Sequence, residues 1–98
     1  GRTDALHFPS FGEEAARLLI EERGVRVIGV DTASIDYGQS RNFIVHQIAG
    51  AHNVSGLENL TNLESLPPKG ALVMALPMKI GGGSGGPLRA VAVVPQSE

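Results

Sequence analysis

The sequence contains no cysteine, and this absence excludes two kinds of structure. A disulfide framework needs cysteine pairs, and a thiolate zinc site needs cysteine ligands. The chain also lacks an apolar run of the ~18–20 residues that a membrane-spanning helix requires, and no charged-then-apolar signal segment opens it. We therefore expect no membrane association and a cytoplasmic location.

Aromatic residues are scarce, and basic residues are not clustered. The chain has no Trp, one Tyr and three Phe, so it offers little surface on which nucleic-acid bases could stack. Its eight Lys and Arg residues are scattered, and the net charge is −2. Without a basic stripe to neutralise phosphates, we expect no nucleic-acid partner.

The 98 residues, with 42% hydrophobic and 18% charged, fit a single globular domain. Ser10 and Glu13 form a capping-box pattern that predicts a helix over 11–23, and Gly24 is a suitable end for it. The β-branched segment 25–30 predicts a buried strand, parallel to another strand because a helix precedes it.

The rest of the chain alternates short apolar segments with turn residues. Residues 41–51 have helical spacing, and residues 53–58 fit a short strand. Two apolar strands are predicted at 71–80, with a break at Pro77, and at 88–94, joined as a hairpin. The fold class that follows is α/β, with a small mixed sheet and one or two flanking helices.

The glycine-rich segment 81–86, GGGSGG, invites a phosphate-binding interpretation. A phosphate-binding loop of that kind has a Lys-Ser/Thr pair after the glycines and opens a helix. Here Lys79 precedes the glycines and a strand follows them. A mobile connection between two strands is the favoured interpretation. No G-x-S-x-G nucleophile motif occurs either, and we assign no catalytic residue.

His46 and Glu58 are the residues with the clearest chemical potential. His46 lies on the predicted second helix, and Glu58 follows twelve residues later between apolar neighbours. A carboxylate in apolar surroundings needs a hydrogen-bond partner, a countercharge or a metal. A helix–turn–strand return can bring the two side chains together as a metal pair. The alternative is that Glu58 accepts a backbone N–H bond while His46 only packs.

Asp31 and Asp36 lie in the polar loop that follows the first predicted strand. Carboxylates at the carboxyl end of a strand often lie near α/β binding sites. They also often cap loops through Asx-turns, and the sequence slightly favours this second interpretation.

Three segments in this order resemble the putative-cyclase family, which includes bacterial kynurenine formamidase and isatin hydrolase. They are GVDTASID at 29–36, His46 with GLENL at 56–60, and the stretch at 75–95 that contains the glycine-rich segment. The resemblance implies a swivelling β/β/α-type fold. It also implies hydrolysis of an amide or lactam of a small molecule at one or two divalent metals, zinc or manganese.

The resemblance assigns metal ligation to His46 and Glu58, because the family has a His and a Glu at this spacing. The family's other ligands lie in an H-x-G-T-H-x-D-x-P-x-H motif, which this sequence does not contain. The chain is therefore expected to be the C-terminal half of such a hydrolase, without the N-terminal half that carries the motif. Alone, it should bind zinc or manganese weakly or not at all, and should be inactive.

The sequence is also consistent with two other functions. The chain can be a non-enzymatic truncated paralogue that serves as an oligomerising or partner-binding module, or a small ligand-binding α/β domain without metal. The apolar strands at 71–80 and 88–94 also predict a homo-oligomer, since uncovered apolar strand pairs tend to associate.

Overall fold

The computed structural model describes residues 6–96 of the chain. Two compact units make up the chain, Gly1–Thr61 and Asn62–Glu98. The first unit contains two helices and a parallel pair of strands, and the second contains an antiparallel pair. The predicted α/β class is confirmed, and the strands are divided between two two-stranded sheets.

The first predicted helix is present, in two sections. Helix α1 spans Glu13–Arg17 and continues as a π-helical turn over Leu18–Glu22. Gly24 ends it as expected, with a φ of +66° that costs glycine little. Hydrogen bonding to Glu13, together with the charge of Glu21, raises the pKa of Arg17.

The predicted capping box is wrong. Gly12, in an extended conformation, is the N-cap residue of α1, and no side chain caps the helix. The hydroxyl of Ser10 donates instead to the carbonyl oxygen of Ser34, 2.9 Å away. Thr32 Oγ1 donates to the same carbonyl at 3.0 Å. The hydroxyl of Ser10 therefore fixes the loop after the first strand and does not cap the helix.

Strands β1, Val27–Gly29, and β2, Ser55–Leu57, pair in parallel, as the sequence predicted. Ile28 lies opposite Gly56. Glycine at position 56 leaves room for Ile35, since a Cβ atom there would lie 3.1 Å from Cδ1 of Ile35. Ile35 is buried and can therefore pack closely over β2.

Helix α2 spans Ile44–Ala51, so it begins three residues later than predicted. The delay has a backbone cause, because Phe43 adopts a left-handed conformation with φ of 51° and cannot be part of a right-handed helix. Helices α1 and α2 pack with β1 around the core of this unit. The core consists of small and β-branched residues: Ala16, Ile20, Ile28, Ile35, Val45, Ile48 and Ala49.

The second unit is a hairpin of β3, Leu72–Pro77, and β4, Leu88–Val93. The strands are antiparallel, from Leu72 opposite Val93 to Pro77 opposite Leu88. β3 ends at Pro77, as predicted from the missing N–H of proline. Its side chains are largely exposed, with Leu72 at 63% and Leu76 at 61%. Among residues 6–96, no helix is long and apolar enough to cross a membrane.

Candidate metal centre

The structure brings His46 and Glu58 together. His46 is the third residue of α2, and Glu58 directly follows β2. The Nε2 atom of His46 lies 3.4 Å from Oε2 of Glu58, and the two side chains are 46% and 35% exposed. The helix–turn–strand return anticipated from the sequence therefore exists, and the pair can be reached from solvent. The role of the pair as metal ligands remains a prediction.

Asp36 lies behind His46 and is almost completely buried, at 1% exposure. Its Oδ1 accepts the backbone N–H of Val45 at 2.9 Å, and its Oδ2 accepts that of His46 at 3.0 Å. These are the second and third residues of α2, so the carboxylate caps the helix from a distance and lies at the positive end of the helix dipole. The same Oδ2 lies 2.8 Å from Nδ1 of His46.

The contact between Asp36 and His46 bears on which ring nitrogen is free. An ionised carboxylate only accepts hydrogen bonds, so the 2.8 Å contact is a hydrogen bond when Nδ1 carries the proton. In a neutral imidazole Nε2 then has a free lone pair, and this lone pair faces Glu58. A lone pair and a carboxylate oxygen at 3.4 Å repel each other unless a cation lies between them or Nε2 is protonated.

The donor set fits a divalent metal. An imidazole nitrogen and a carboxylate oxygen suit zinc and manganese, and a carboxylate behind the ring is the usual outer partner of a metal-binding His. Within residues 6–96, no group of three or more His, Cys, Asp or Glu side chains could hold a metal. His46 and Glu58 alone supply two donor side chains, and their assignment as metal ligands is not tested by this geometry.

Glu58 is held by the loop that carries Asp36. The backbone N–H of Ile35 donates to Oε2 of Glu58 at 3.2 Å. The next residue, Asn59, has a φ of 56°, and its N–H donates to the carbonyl of Thr32 at 2.8 Å. The backbone N–H bond expected as the alternative to a metal pair is therefore present, together with the contact between Glu58 and His46, and the metal pair itself stays a prediction.

The two loop carboxylates have different surroundings. Asp31 is exposed, whereas Asp36 is buried and bonded to α2. The Asx-turn interpretation favoured from the sequence therefore misses the role of Asp36. No local sequence signal pointed to this role, because the helix was predicted to begin at residue 41, directly after Ser40. Only the structure shows that α2 begins after Phe43 and takes its cap from Asp36.

The other histidines of the chain lie outside this site. His52 follows the end of α2, and its Nδ1 lies 2.9 Å from the carbonyl oxygen of Ile48. His7 precedes α1 and is exposed. One aromatic side chain does reach His46, since the ring of Phe43 meets the imidazole edge-on, with centroids 5.9 Å apart.

Comparison with known proteins gives this arrangement a family context. The family model described as putative cyclase matches residues 1–37, a stretch that contains Asp36 but stops before His46 and Glu58. Isatin hydrolase of Roseibium aggregatum is 36% identical over 95 residues, which are 93% of this chain and 36% of that protein.

Two solved structures agree with this relationship. Isatin hydrolase A from Ralstonia solanacearum has a TM-score of 0.88 and 44% identity, over 96% of this chain and 37% of that one. Isatin hydrolase A from Labrenzia aggregata, bound to benzyl benzoate, has a TM-score of 0.90 and 39% identity. The match covers 97% of this chain and 39% of that chain. The chain thus spans little more than a third of these relatives. The family match and these relatives together support the assignment of the chain to the putative-cyclase family.

Proposed function

We propose that this chain is part of a metal-dependent hydrolase of amide or lactam bonds, in which Nε2 of His46 and the carboxylate of Glu58 bind zinc or manganese. The observation that supports it most is the orientation of His46. Oδ2 of Asp36 lies 2.8 Å from Nδ1, and Nε2 faces the solvent-accessible carboxylate of Glu58 at 3.4 Å. The similarity to isatin hydrolases supports the reaction class, since isatin is a cyclic amide.

In this proposal, His46 and Glu58 bind the divalent ion, and their neighbours in the fold fix the orientation of the two side chains. When bound, a divalent ion provides Lewis acidity toward a carbonyl oxygen and toward water. Glu58 contributes negative charge that offsets the charge of the ion, and its bond to Ile35 N–H limits the motion of the carboxylate. His46 contributes a neutral nitrogen ligand on the first turn of α2, a rigid element of the fold.

Two ligands are fewer than the three protein ligands typical of a catalytic zinc site. We therefore propose that further ligands and the substrate pocket come from the part of a full-length hydrolase that this chain does not represent. Alone, the chain should bind the ion weakly and should not turn over an amide. The substrate in the complete protein is proposed to be a small molecule with an amide or lactam group.

Calorimetric titration of Zn²⁺ and Mn²⁺ into the purified chain tests this proposal. We expect weak binding with about one ion per chain, lost in His46→Ala and in Glu58→Ala. His52→Ala is the matched control, because His52 adjoins the same helix but lies outside the site. Binding that survives both site substitutions, or that disappears with His52, contradicts the proposed ligands. No binding by a folded chain favours the non-enzymatic alternative.

We also propose that the chain forms a homo-oligomer through its hairpin. The support is the exposure of apolar side chains on both strands, with Leu72 and Met74 on β3 at 63% and 41%, and Val93 on β4 at 52%. A two-stranded sheet is marginally stable in water unless an apolar surface covers it.

A further inference from the structure

We propose that Asp36 is a positioning residue that fixes His46 as the Nδ1–H tautomer and directs its Nε2 toward Glu58. The tautomer is a property of the metal-free chain. Its consequence for metal affinity rests on the proposed function, and the two parts have separate readouts.

Asp36 contacts His46 at two points, one on the backbone and one on the side chain. Its Oδ2 accepts the backbone N–H of His46 at 3.0 Å and lies 2.8 Å from the Nδ1 of the same residue. Rotation of the imidazole away from this position breaks the side-chain contact. The backbone bond at the same time keeps the carboxylate in place, so the ring has one favoured orientation.

The Nε2–H tautomer of His46 is energetically unfavourable beside Asp36. With the proton on Nε2, the lone pair of Nδ1 would face a carboxylate oxygen at 2.8 Å. Asp36 is 1% exposed, so water screens this repulsion poorly. The remaining oxygen of Asp36 bonds to the N–H of buried Val45, which prevents the carboxylate from turning away.

Glu58 is the carboxylate on the Nε2 side, and by itself it would favour a proton on Nε2. Glu58 therefore opposes Asp36 in the neutral form of the ring. Asp36 has the stronger effect on the ring for two reasons. Its oxygen lies 2.8 Å from the imidazole, against 3.4 Å for Glu58, and its side chain is 2% exposed, against 35% for Glu58.

His52 is an internal reference in the same molecule. Its Nδ1 lies 2.9 Å from the carbonyl oxygen of Ile48, which can only accept. His52 is therefore also an Nδ1–H tautomer, but its partner belongs to its own helix. A change at Asp36 should leave the tautomer of His52 unaltered.

Long-range ¹H–¹⁵N NMR spectra of the metal-free chain, at an alkaline pH where imidazole is neutral, test the inference. In the wild-type chain we expect a protonated-type ¹⁵N shift for Nδ1 of His46 and an unprotonated-type shift for Nε2. In Asp36→Asn, the amide NH₂ can donate to Nδ1, so we expect a substantial share of the Nε2–H form. Asp31→Asn is the matched control from the same loop and should match wild type.

A second variant separates the two carboxylates. Glu58→Gln should keep His46 in the Nδ1–H form, since Asp36 is untouched. A wild-type His46 that is mainly Nε2–H overturns the inference, as does an Asp36→Asn variant that remains wholly Nδ1–H. An unaltered His52 signal in each variant shows that the fold of α2 is retained.

Metal affinity is measured separately from the tautomer of His46. Loss of an outer partner of a metal-binding His typically weakens affinity by about 10–100-fold, and we expect this for Zn²⁺ in Asp36→Asn. If the wild-type chain binds no metal but has the predicted tautomer, the proposed function fails and the positioning role stands. If metal binds at His46 and Glu58 while the tautomer does not depend on Asp36, the positioning role fails.

Discussion

Asp36 Oδ2 is shared between the backbone N–H and the imidazole Nδ1 of His46, at 3.0 and 2.8 Å. A single buried carboxylate thus links the start of α2 to the orientation of the side chain proposed to bind metal. Because the same group stabilises the helix and aims the ring, folding of the first unit and formation of the site are coupled.

This coupling predicts a large stability cost for removal of the carboxylate. In Asp36→Ala, the N–H groups of Val45 and His46 lose their acceptor, and each unsatisfied donor costs about 1–3 kcal/mol when buried. We expect unfolding in urea to become roughly 2–4 kcal/mol more favourable. Asp31→Ala, at an exposed position of the same loop, should change stability by at most about 0.5 kcal/mol. Equal effects of the two substitutions would disprove the capping role.

The close contact between Gly56 and Ile35 predicts that added volume at β2 is unfavourable. In Gly56→Ala, the new methyl group meets Ile35 at 3.1 and 3.3 Å, and we expect a loss of roughly 1–2 kcal/mol. Thermal and urea unfolding measure this loss. Gly50→Ala is the opposite case, because Gly50 lies within α2 and a Cβ there meets no atom within 4 Å. That variant should gain about 0.5 kcal/mol from helix propensity. A gain at both positions would contradict the packing described for Ile35.

The left-handed conformation of Gly24 leads to a third prediction. At a φ of +66°, Gly24→Ala places a Cβ in a strained conformation although the space around it is open. We expect a loss of about 1 kcal/mol in unfolding free energy, caused by the backbone alone. Gly24→Asn should recover part of it, because asparagine tolerates this region. Full stability of the alanine variant would show that the helix end can adopt another conformation.

The exposed hairpin predicts self-association. Leu72 and Leu76 lie four positions apart on one face of β3 and are 63% and 61% exposed. In sedimentation velocity at increasing concentration, we expect the chain to sediment as an oligomer. The double substitution Leu72→Glu and Leu76→Glu should shift it toward monomer. Leu18→Gln, at an exposed apolar position of the first unit, is the control and should leave association unchanged. A wild-type chain that is monomeric at high concentration would exclude this interface.

Much of the fold was predictable because local patterns are sufficient for it. The β-branched segment 25–30 predicted β1, and its parallel pairing followed from the preceding helix. Pro77 marked the end of β3 because proline cannot donate to a strand ladder. The contact between His46 and Glu58 was also anticipated, from their spacing and from the cost of an unpaired carboxylate.

Other features depend on contacts that no local pattern contains. Ser10 and Glu13 match a capping box, but Ser10 bonds to Ser34, far along the chain. The late start of α2 follows from the conformation of Phe43, which the hydrophobic spacing of residues 41–51 does not reveal. Asp36 was treated as equivalent to Asp31, because only tertiary structure shows which of the two is buried.

The central claim is that His46 and Glu58 bind one divalent ion together. The most direct measurement is an anomalous difference map from crystals of the chain soaked in Zn²⁺ or Mn²⁺. The account predicts one peak between Nε2 of His46 and the carboxylate of Glu58, about 2.0–2.2 Å from each ligand atom. A crystal with no peak at this place, or with peaks only at other side chains, would contradict it.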